Sequence, residues 1–159
     1  MHVYLVEPDI PLRYPNLALM KLSTHHKGLG DTLEYFKGLP SKLENQTPDI
    51  IYISTLFTYY SEKTIRCINR FKERYPSATI IVGGIFATLM PEYLEQKTDI
   101  KPFVGYSKEL DALPPDYSLI PIFTSYSPKI KKWADFSMLF STRGCPNQCG
   151  FCAVNQLEP

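Results

Sequence analysis

The sequence predicts an α/β protein built on a mostly parallel sheet with helices on both faces. Two stretches, 49–55 and 78–84, are apolar runs of the kind that form strands covered on both sides. Between them, residues 61–76 carry apolar side chains at helical spacing, and Pro76 ends that pattern. Strands that alternate with helices in this way become parallel neighbours joined by crossovers.

The other elements of this layer follow from shorter signals. They are, in order, a strand at 2–6, a helix at 15–28, a strand at 31–36, a helix at 91–96 and a last short strand at 100–106. Gly28 suits a helix stop, Ser61 suits a helix cap, and Pro91 suits a first helical turn. The order predicts a Rossmann-like, doubly wound sheet of about five strands over residues 1–106.

The rest of the chain differs in composition. Residues 107–133 are rich in proline and lysine without a sustained period, which predicts a linker or an irregular strap. Residues 134–145 then resemble a new strand that runs directly into a cluster of cysteines. The predicted division is therefore 1–106, 107–133 and 134–159, with the last segment the incomplete start of a second domain.

Composition excludes several classes of function. The 159 residues carry a net charge of +1, which favours neither a nucleic-acid partner nor a membrane surface. The first residues reach Glu7 and Pro8 too early for a secretory leader, and no apolar run is long enough to span a bilayer. We therefore expect a cytoplasmic protein in which disulfides are disfavoured.

Three of the four cysteines, Cys145, Cys149 and Cys152, form the pattern C-x-x-x-C-x-x-C. In a reducing compartment this crowding indicates metal or cluster ligation. Three thiolates can hold a 4Fe-4S cluster whose remaining iron is open to an outside ligand. A structural zinc site normally takes four ligands, and no cysteine or histidine follows Cys152. The remaining cysteine, Cys67, fits a buried position on the helix at 61–76.

The stretch "STRGCPNQCGFC" resembles the cluster signature of the radical S-adenosylmethionine (radical SAM) enzymes. The resemblance implies that Cys145, Cys149 and Cys152 ligate a 4Fe-4S cluster and that Phe151 packs beside S-adenosylmethionine. It implies reductive cleavage of that cofactor to a 5′-deoxyadenosyl radical. It further implies a reductant such as flavodoxin or ferredoxin and a small-molecule or peptide substrate. Arg143, just before the cluster, could stabilise the anionic cluster or form a salt bridge.

The first domain resembles the cobalamin-binding-like Rossmann domains that precede many radical SAM barrels. Ser54 and Leu56 give the S-x-L of that signature, and Gly83 and Gly84 give its G-G, so the resemblance makes cobalamin a possible cofactor. The histidine motif D-x-H-x-x-G is incomplete, and His25 lies at a helix end, where the dipole favours it. The alternative is that the glycines only form a tight turn.

The sequence as a whole is therefore interpreted as the N-terminal part of a radical SAM enzyme. We expect it to end just after its cluster motif and to be inactive alone. The alternative is a truncated, free-standing Rossmann-type binding module without catalytic activity, in which the cysteines are idle or hold zinc. The substrate is not specified by any residue of the sequence.

Overall fold

The structure is a computed structural model that describes residues 1–40, 47–147 and 149–158. These residues form a four-stranded, all-parallel sheet in the order β2-β1-β3-β4. The strands are β1 (His2–Glu7), β2 (Thr32–Lys37), β3 (Ile50–Thr55) and β4 (Thr79–Gly84). The predicted parallel sheet is confirmed. Because β2 lies on one side of β1 and β3 lies on the other, the strand order reverses between β1 and β3.

Helices occupy most of the connections. They are α1 (Leu17–Gly28), α2 (Ser61–Arg74), α3 (Ile85–Leu89), α4 (Pro91–Thr98), α5 (Lys108–Asp111), α6 (Ile120–Tyr126) and α7 (Val154–Leu157), with 3₁₀ segments at Thr58–Tyr60, Tyr117–Leu119 and Pro128–Asp135. Among the residues described, every helix is too short or too polar to span a bilayer.

The ends of these helices correct two predictions. Asn16, whose side chain accepts from the Leu19 N–H at 3.2 Å, caps α1. Gly28 is the last residue of that helix instead of the residue after it. The prediction that Ser61 caps α2 is wrong, because Ser61 is already helical and the 3₁₀ turn before it leads straight in.

Both faces of the sheet are covered, as a doubly wound fold requires. Alternate residues of β1 point to opposite faces. One face buries Tyr4, Val6, Ile51, Ile53, Cys67, Ile68, Phe71, Tyr75, Val82, Phe86, Ala87 and Leu94. The other buries Val3, Leu5, Leu19, Met20, Leu119, Ile120, Phe123 and Ile130. The first layer is supplied by α2, α3 and α4, and the second by α1, α6 and the last 3₁₀ segment.

Residues 107–133, predicted as a linker or an irregular strap, contain short helical elements. They fold into α5, α6 and 3₁₀ turns, and they bury Leu119, Ile120 and Phe123 against the sheet. Sequence periodicity missed α6 because it is only seven residues long. Its proline lies in the first turn, where a missing N–H costs nothing. Where the domain boundaries lie stays a prediction.

Two predicted strands are absent from the described sheet. At 100–106, the Phe103 N–H donates to the Val82 carbonyl at 2.8 Å. Pro102 has no N–H to continue such a ladder, and Gly105 turns the chain at φ +87°. At 134–145 the chain is 3₁₀ and then irregular, and the Met138 N–H donates to the Tyr117 hydroxyl at 2.7 Å, away from any strand. The strand expected at 134–145 is therefore not formed in the described residues.

Candidate functional site

Ligands of open parallel sheets bind beyond the carboxyl ends of the strands, above all where the strand order reverses. In this chain that edge carries the ends of β1, β3 and β4. The register places Ser54 beside Gly83 and Thr55 beside Gly84. Three of the predicted cofactor residues, Ser54, Gly83 and Gly84, are thus neighbours in space, and Leu56 follows immediately after β3.

The two glycines at this edge have different local roles. Gly84 has φ +107°, and a Cβ there would lie 2.1 Å from the Thr55 carbonyl oxygen. The hydroxyl of Thr55 donates to the Gly83 carbonyl and accepts from the Ala87 N–H, both at 3.0 Å. Beside Gly83, a Cβ would meet Phe103 at an ordinary 3.8 Å. Gly84 therefore permits the close approach of β3 and β4, and Phe103 already lines the space beside Gly83.

A buried carboxylate, missed by sequence reasoning, organises the reversal point. Glu7 is 3% exposed and accepts from Asn16 Nδ2 at 3.1 Å and from the Tyr35 hydroxyl at 2.7 Å. Lys37 Nζ lies 3.7 Å from the same carboxylate. Burial, and then the negative charge of Glu7, raise the pKa of Tyr35 well above its usual range. The hydroxyl of Ser54 donates to Asn16 Oδ1 at 3.3 Å, so it belongs to this internal network.

Both histidines of α1 lie in its last turn, as expected, at the opposite edge of the sheet. His26 is 2% exposed, and its ring nitrogens bond Asp31 Oδ2 at 2.8 Å and the Tyr52 hydroxyl at 3.1 Å. The hydrogen bond with His26 lowers the pKa of Asp31. His25 is exposed on the same turn. Neither histidine is near the carboxyl ends of the strands.

The three clustered cysteines lie in one open segment. Cys145 and Cys149 are exposed, Cys152 is partly exposed, and all are free thiols. A turn between them is closed by the Cys152 N–H, which donates to the Cys149 carbonyl at 3.0 Å. Phe151 is 93% exposed. Within the described ranges, no three His, Cys, Asp or Glu side chains are already gathered as a metal site.

Cys67 is separate from these three. It is buried in the core between α2 and the sheet, as predicted. Burial raises the pKa of its thiol to about 12. Burial thus disfavours the thiolate that ligation requires, and Cys67 is a core residue.

Arg143 holds the cysteine segment at both ends. Its Nε and Nη2 donate to the two carboxylate oxygens of Asp111 at 2.7 Å each, and its Nη1 donates to Glu158. The Gly144 N–H also donates to Glu158, at 2.7 Å. The Phe140 ring lies against the guanidinium, 3.5 Å from the ring centroid. Of the two roles considered for Arg143, the salt bridge is the one observed.

These contacts also change the acidity of the carboxylates. Hydrogen bonds from Arg143 lower the pKa of Asp111, and the Gly144 N–H, followed by Arg143, lowers that of Glu158. Asp111 is connected in turn to α1, because Lys21 Nζ donates to its carbonyl at 2.7 Å. We call the set Arg143, Asp111 and Glu158 the arginine clamp.

The clamp joins the cysteine segment to helix α5. Helix α7, which follows Cys152 closely, packs on α3, which follows Gly84 directly. The two groups of predicted site residues, far apart in sequence, therefore lie on neighbouring elements at the β4 side of the sheet. Sequence alone offers no signal for this, since a pair such as Arg143 and Asp111 is formed by tertiary contact.

No family model matches the sequence, and no curated protein matches it. The chemistry of the site therefore has to be inferred from its residues and their arrangement.

Proposed function

We propose that this chain is the N-terminal part of a radical SAM enzyme and that Cys145, Cys149 and Cys152 hold its 4Fe-4S cluster. The observation that carries the proposal is the set of three free thiols at C-x-x-x-C-x-x-C spacing in one solvent-accessible segment. Thiolates are the ligands of iron–sulfur clusters, and a segment open to solvent can accept one.

The donor set fits three-thiolate ligation better than a closed zinc site. A structural zinc ion needs a fourth ligand, and the remaining cysteine, Cys67, is buried on helix α2, where it packs with the core against the sheet. A cubane with three protein ligands leaves one iron free. When bound, such a cluster supplies the electron that cleaves S-adenosylmethionine reductively.

The chain's own residues would position this chemistry. The clamp ties Gly144, just before the first cysteine, to Glu158, which directly follows α7, so the segment is a closed loop. Because the charge of Arg143 is engaged by two carboxylates, it orients the loop instead of facing a ligand. Phe151 presents an apolar surface beside the cysteines. The exposure of Cys145 and Cys149 leaves the loop open to an electron donor such as flavodoxin or ferredoxin.

Cobalamin fits the described residues less well. The positive φ of Gly84 and its close approach to Thr55 already account for a glycine at that position. The space beside Gly83 is lined by Phe103, and the Ser54 hydroxyl donates a hydrogen bond to Asn16. The carboxyl edge thus shows no open cradle at the S-x-L and G-G positions. We route no step through cobalamin, and its binding stays an implication of the resemblance alone.

The proposal is tested by anaerobic reconstitution of the chain with iron and sulfide, followed by desalting and determination of both elements. We expect a brown protein with iron and sulfide in equal amounts and with sulfur-to-iron charge-transfer absorption. Alanine at any of Cys145, Cys149 or Cys152 should abolish most of that absorption. The matched control is Cys67→Ala, which removes a thiol from the core and should retain the cluster.

A colourless wild-type protein after reconstitution would contradict the proposal and favour the binding module. Equal loss of absorption in Cys67→Ala and in the three other variants would also contradict it, since general unfolding would then explain the loss. Retention of one zinc ion in place of iron would assign the cysteines a structural role.

A further inference from the structure

We propose that a basic hollow between α2 and the ends of β1 and β2 binds a phosphate group of a small molecule. The hollow is a cavity of about 160 Å³ at the carboxyl edge of the sheet. One wall is helix α2, with Lys63, Arg66 and Arg70, and the other is formed by Asp9 and Gly38. This site lies on the face opposite α1 and contains no cysteine of the cluster motif, so it is independent of the function proposed above.

The cations of the hollow lie on one helix face. Lys63, Arg66 and Arg70 are spaced by three and four residues, which places successive side chains about 6 Å apart at their Cβ atoms. All three are exposed. Within the described part of the chain, no carboxylate forms an ion pair with any of them, and Lys63 Nζ lies 5.9 Å from the centroid of the Tyr60 ring. Three positive charges therefore face a shallow cavity without neutralisation by a close partner.

The opposite wall is held in a fixed shape. Gly38 has φ +69°, its N–H donates to the Glu7 carbonyl at 2.7 Å, and a Cβ there would meet Asp9 Cβ at 3.1 Å. The chain can make this turn because position 38 is glycine. The hollow is therefore bounded by a helix on one side and a tight, hydrogen-bonded turn on the other.

The charge balance favours an anion. Among the described residues that line the hollow, Asp9 is the one acid, so three cations and one carboxylate leave a local surplus of positive charge. Arg66 and Arg70 supply planar donor groups that bond two oxygens of a phosphate at once, which a single ammonium group does not. The size of the cavity suits one phosphate group with a few further atoms, not a whole nucleotide or a protein segment.

The floor of the hollow adds no reactive group. Cys67 lines it from the core side, and burial keeps its thiol protonated. The hollow is consequently a binding site without a nucleophile. A phosphate held there would be recognised and positioned, with no chemistry at the phosphorus atom.

The test is a titration of the whole isotope-labelled chain with inorganic phosphate at constant ionic strength, followed by amide NMR. We expect saturable shifts confined to Asp9, Gly38 and residues 66–70. Arg66→Gln and Arg70→Gln should each weaken binding roughly tenfold, since each removes a charge-assisted hydrogen bond. Raising the salt concentration should weaken binding further.

Two matched variants separate a site from general effects. Arg74→Gln removes the same charge from the same helix, but Arg74 stacks on Tyr75 outside the hollow, so binding should be unchanged. Asp9→Asn removes the repelling carboxylate and should tighten binding by about threefold. A variant that merely damaged the fold would weaken phosphate binding. Tighter binding by Asp9→Asn would therefore show that the charge of the hollow controls the affinity.

Three results would overturn the proposal. One is the absence of saturable shifts with phosphate. The second is an equal loss of affinity in Arg74→Gln and Arg66→Gln, which would mean diffuse attraction to the helix. The third is saturation of the same amides by a polyglutamate peptide but not by phosphate, which would make this surface a docking site for an acidic protein.

Discussion

The sheet and the cysteine segment are ordered by different forces. In the sheet, β1 buries Val3, Leu5 and their neighbours completely, between helices on both faces. In residues 141–158, Phe151 is almost fully exposed, and ionic contacts of Arg143 connect the segment to the rest. Apolar burial and a small polar clamp differ several-fold in free energy. Substitutions in the first region should therefore change global stability, and substitutions in the second should change local order.

The largest effect is expected at the surface where α6 meets the sheet. Phe123 is buried and packs edge-on against Tyr35, with ring centroids 4.9 Å apart. Phe123→Ala should lower the free energy of unfolding by about 4 kcal/mol, because it leaves a cavity in the core. Denaturant unfolding measures this. Phe136→Ala, at an exposed ring nearby, should cost less than about 1 kcal/mol.

If Phe123→Ala were as mild as Phe136→Ala, residues 107–133 would be a detachable linker after all. The sheet would then have to be stable without the packing of α6. The sheet and the cysteine segment would no longer differ in the way proposed above.

The next effect is expected at the end of β4. Gly84→Ala should lower the free energy of unfolding by about 3 kcal/mol, since the methyl group meets the Thr55 carbonyl and φ is positive. Gly83→Ala is the adjacent control, and it should be tolerated because its Cβ makes only ordinary contact with Phe103. Thermal unfolding of the two variants compares them directly. Equal stabilities would show that the close approach of β3 and β4 is not required.

A smaller, pH-dependent effect is expected where residues 107–133 meet α1. Burial disfavours the Asp116 carboxylate, but hydrogen bonds from Lys27, Ser23 and Ser118 outweigh it and lower its pKa to about 2. Its unfolded pKa is near 3.8. A pKa lowered by folding means that the stabilisation is fully present above about pH 5 and is lost as the pH falls through the folded pKa of about 2.

Asp116→Asn should therefore remove about 1 kcal/mol at neutral pH, after allowance for solvent screening, and progressively less as the pH falls through the folded pKa of about 2. Denaturant unfolding between these pH values gives the difference from wild type. A difference from wild type that does not change with pH would mean that the hydrogen bonds of Asp116 do not persist in solution.

The smallest effect on global stability is expected at the arginine clamp. Arg143→Gln should change the free energy of unfolding by less than about 1 kcal/mol, since the clamp is partly exposed to solvent. Amide hydrogen exchange in residues 144–158 should nevertheless speed up markedly. Arg143→Lys keeps the charge but not the paired geometry, so it should restore only part of the protection. Protection of 144–158 unchanged in Arg143→Gln would show that the segment is ordered by other contacts.

Sequence patterns predicted the long, regular elements of this fold well. The apolar runs of β3 and β4 and the amphipathic α2 are confirmed, because burial on both faces or on one stripe leaves a clear periodicity. The elements that were predicted wrongly or missed are short or irregular. The stretch at 100–106 has strand-like side chains, but Pro102 and Gly105 prevent a ladder. Helix α6 has only seven residues, too few for its apolar periodicity to be recognised in the sequence.

The candidate site divides in the same way. The three cysteines are local in sequence, so their exposure in one segment could be anticipated. The Glu7 network and the arginine clamp could not, because they join residues from distant parts of the chain. The sequence around Arg143 does not indicate which acidic residue will be its ion-pair partner. Such pairs become visible only after the helices have been placed.

The most direct test of the central claim is Mössbauer spectroscopy of the anaerobically reconstituted wild-type chain. Ligation by Cys145, Cys149 and Cys152 alone predicts the spectrum of a 4Fe-4S cluster, with one iron site that shifts when S-adenosylmethionine is added. Failure of the chain to retain iron after desalting would contradict the account and leave the cysteine segment without the cofactor we assign to it.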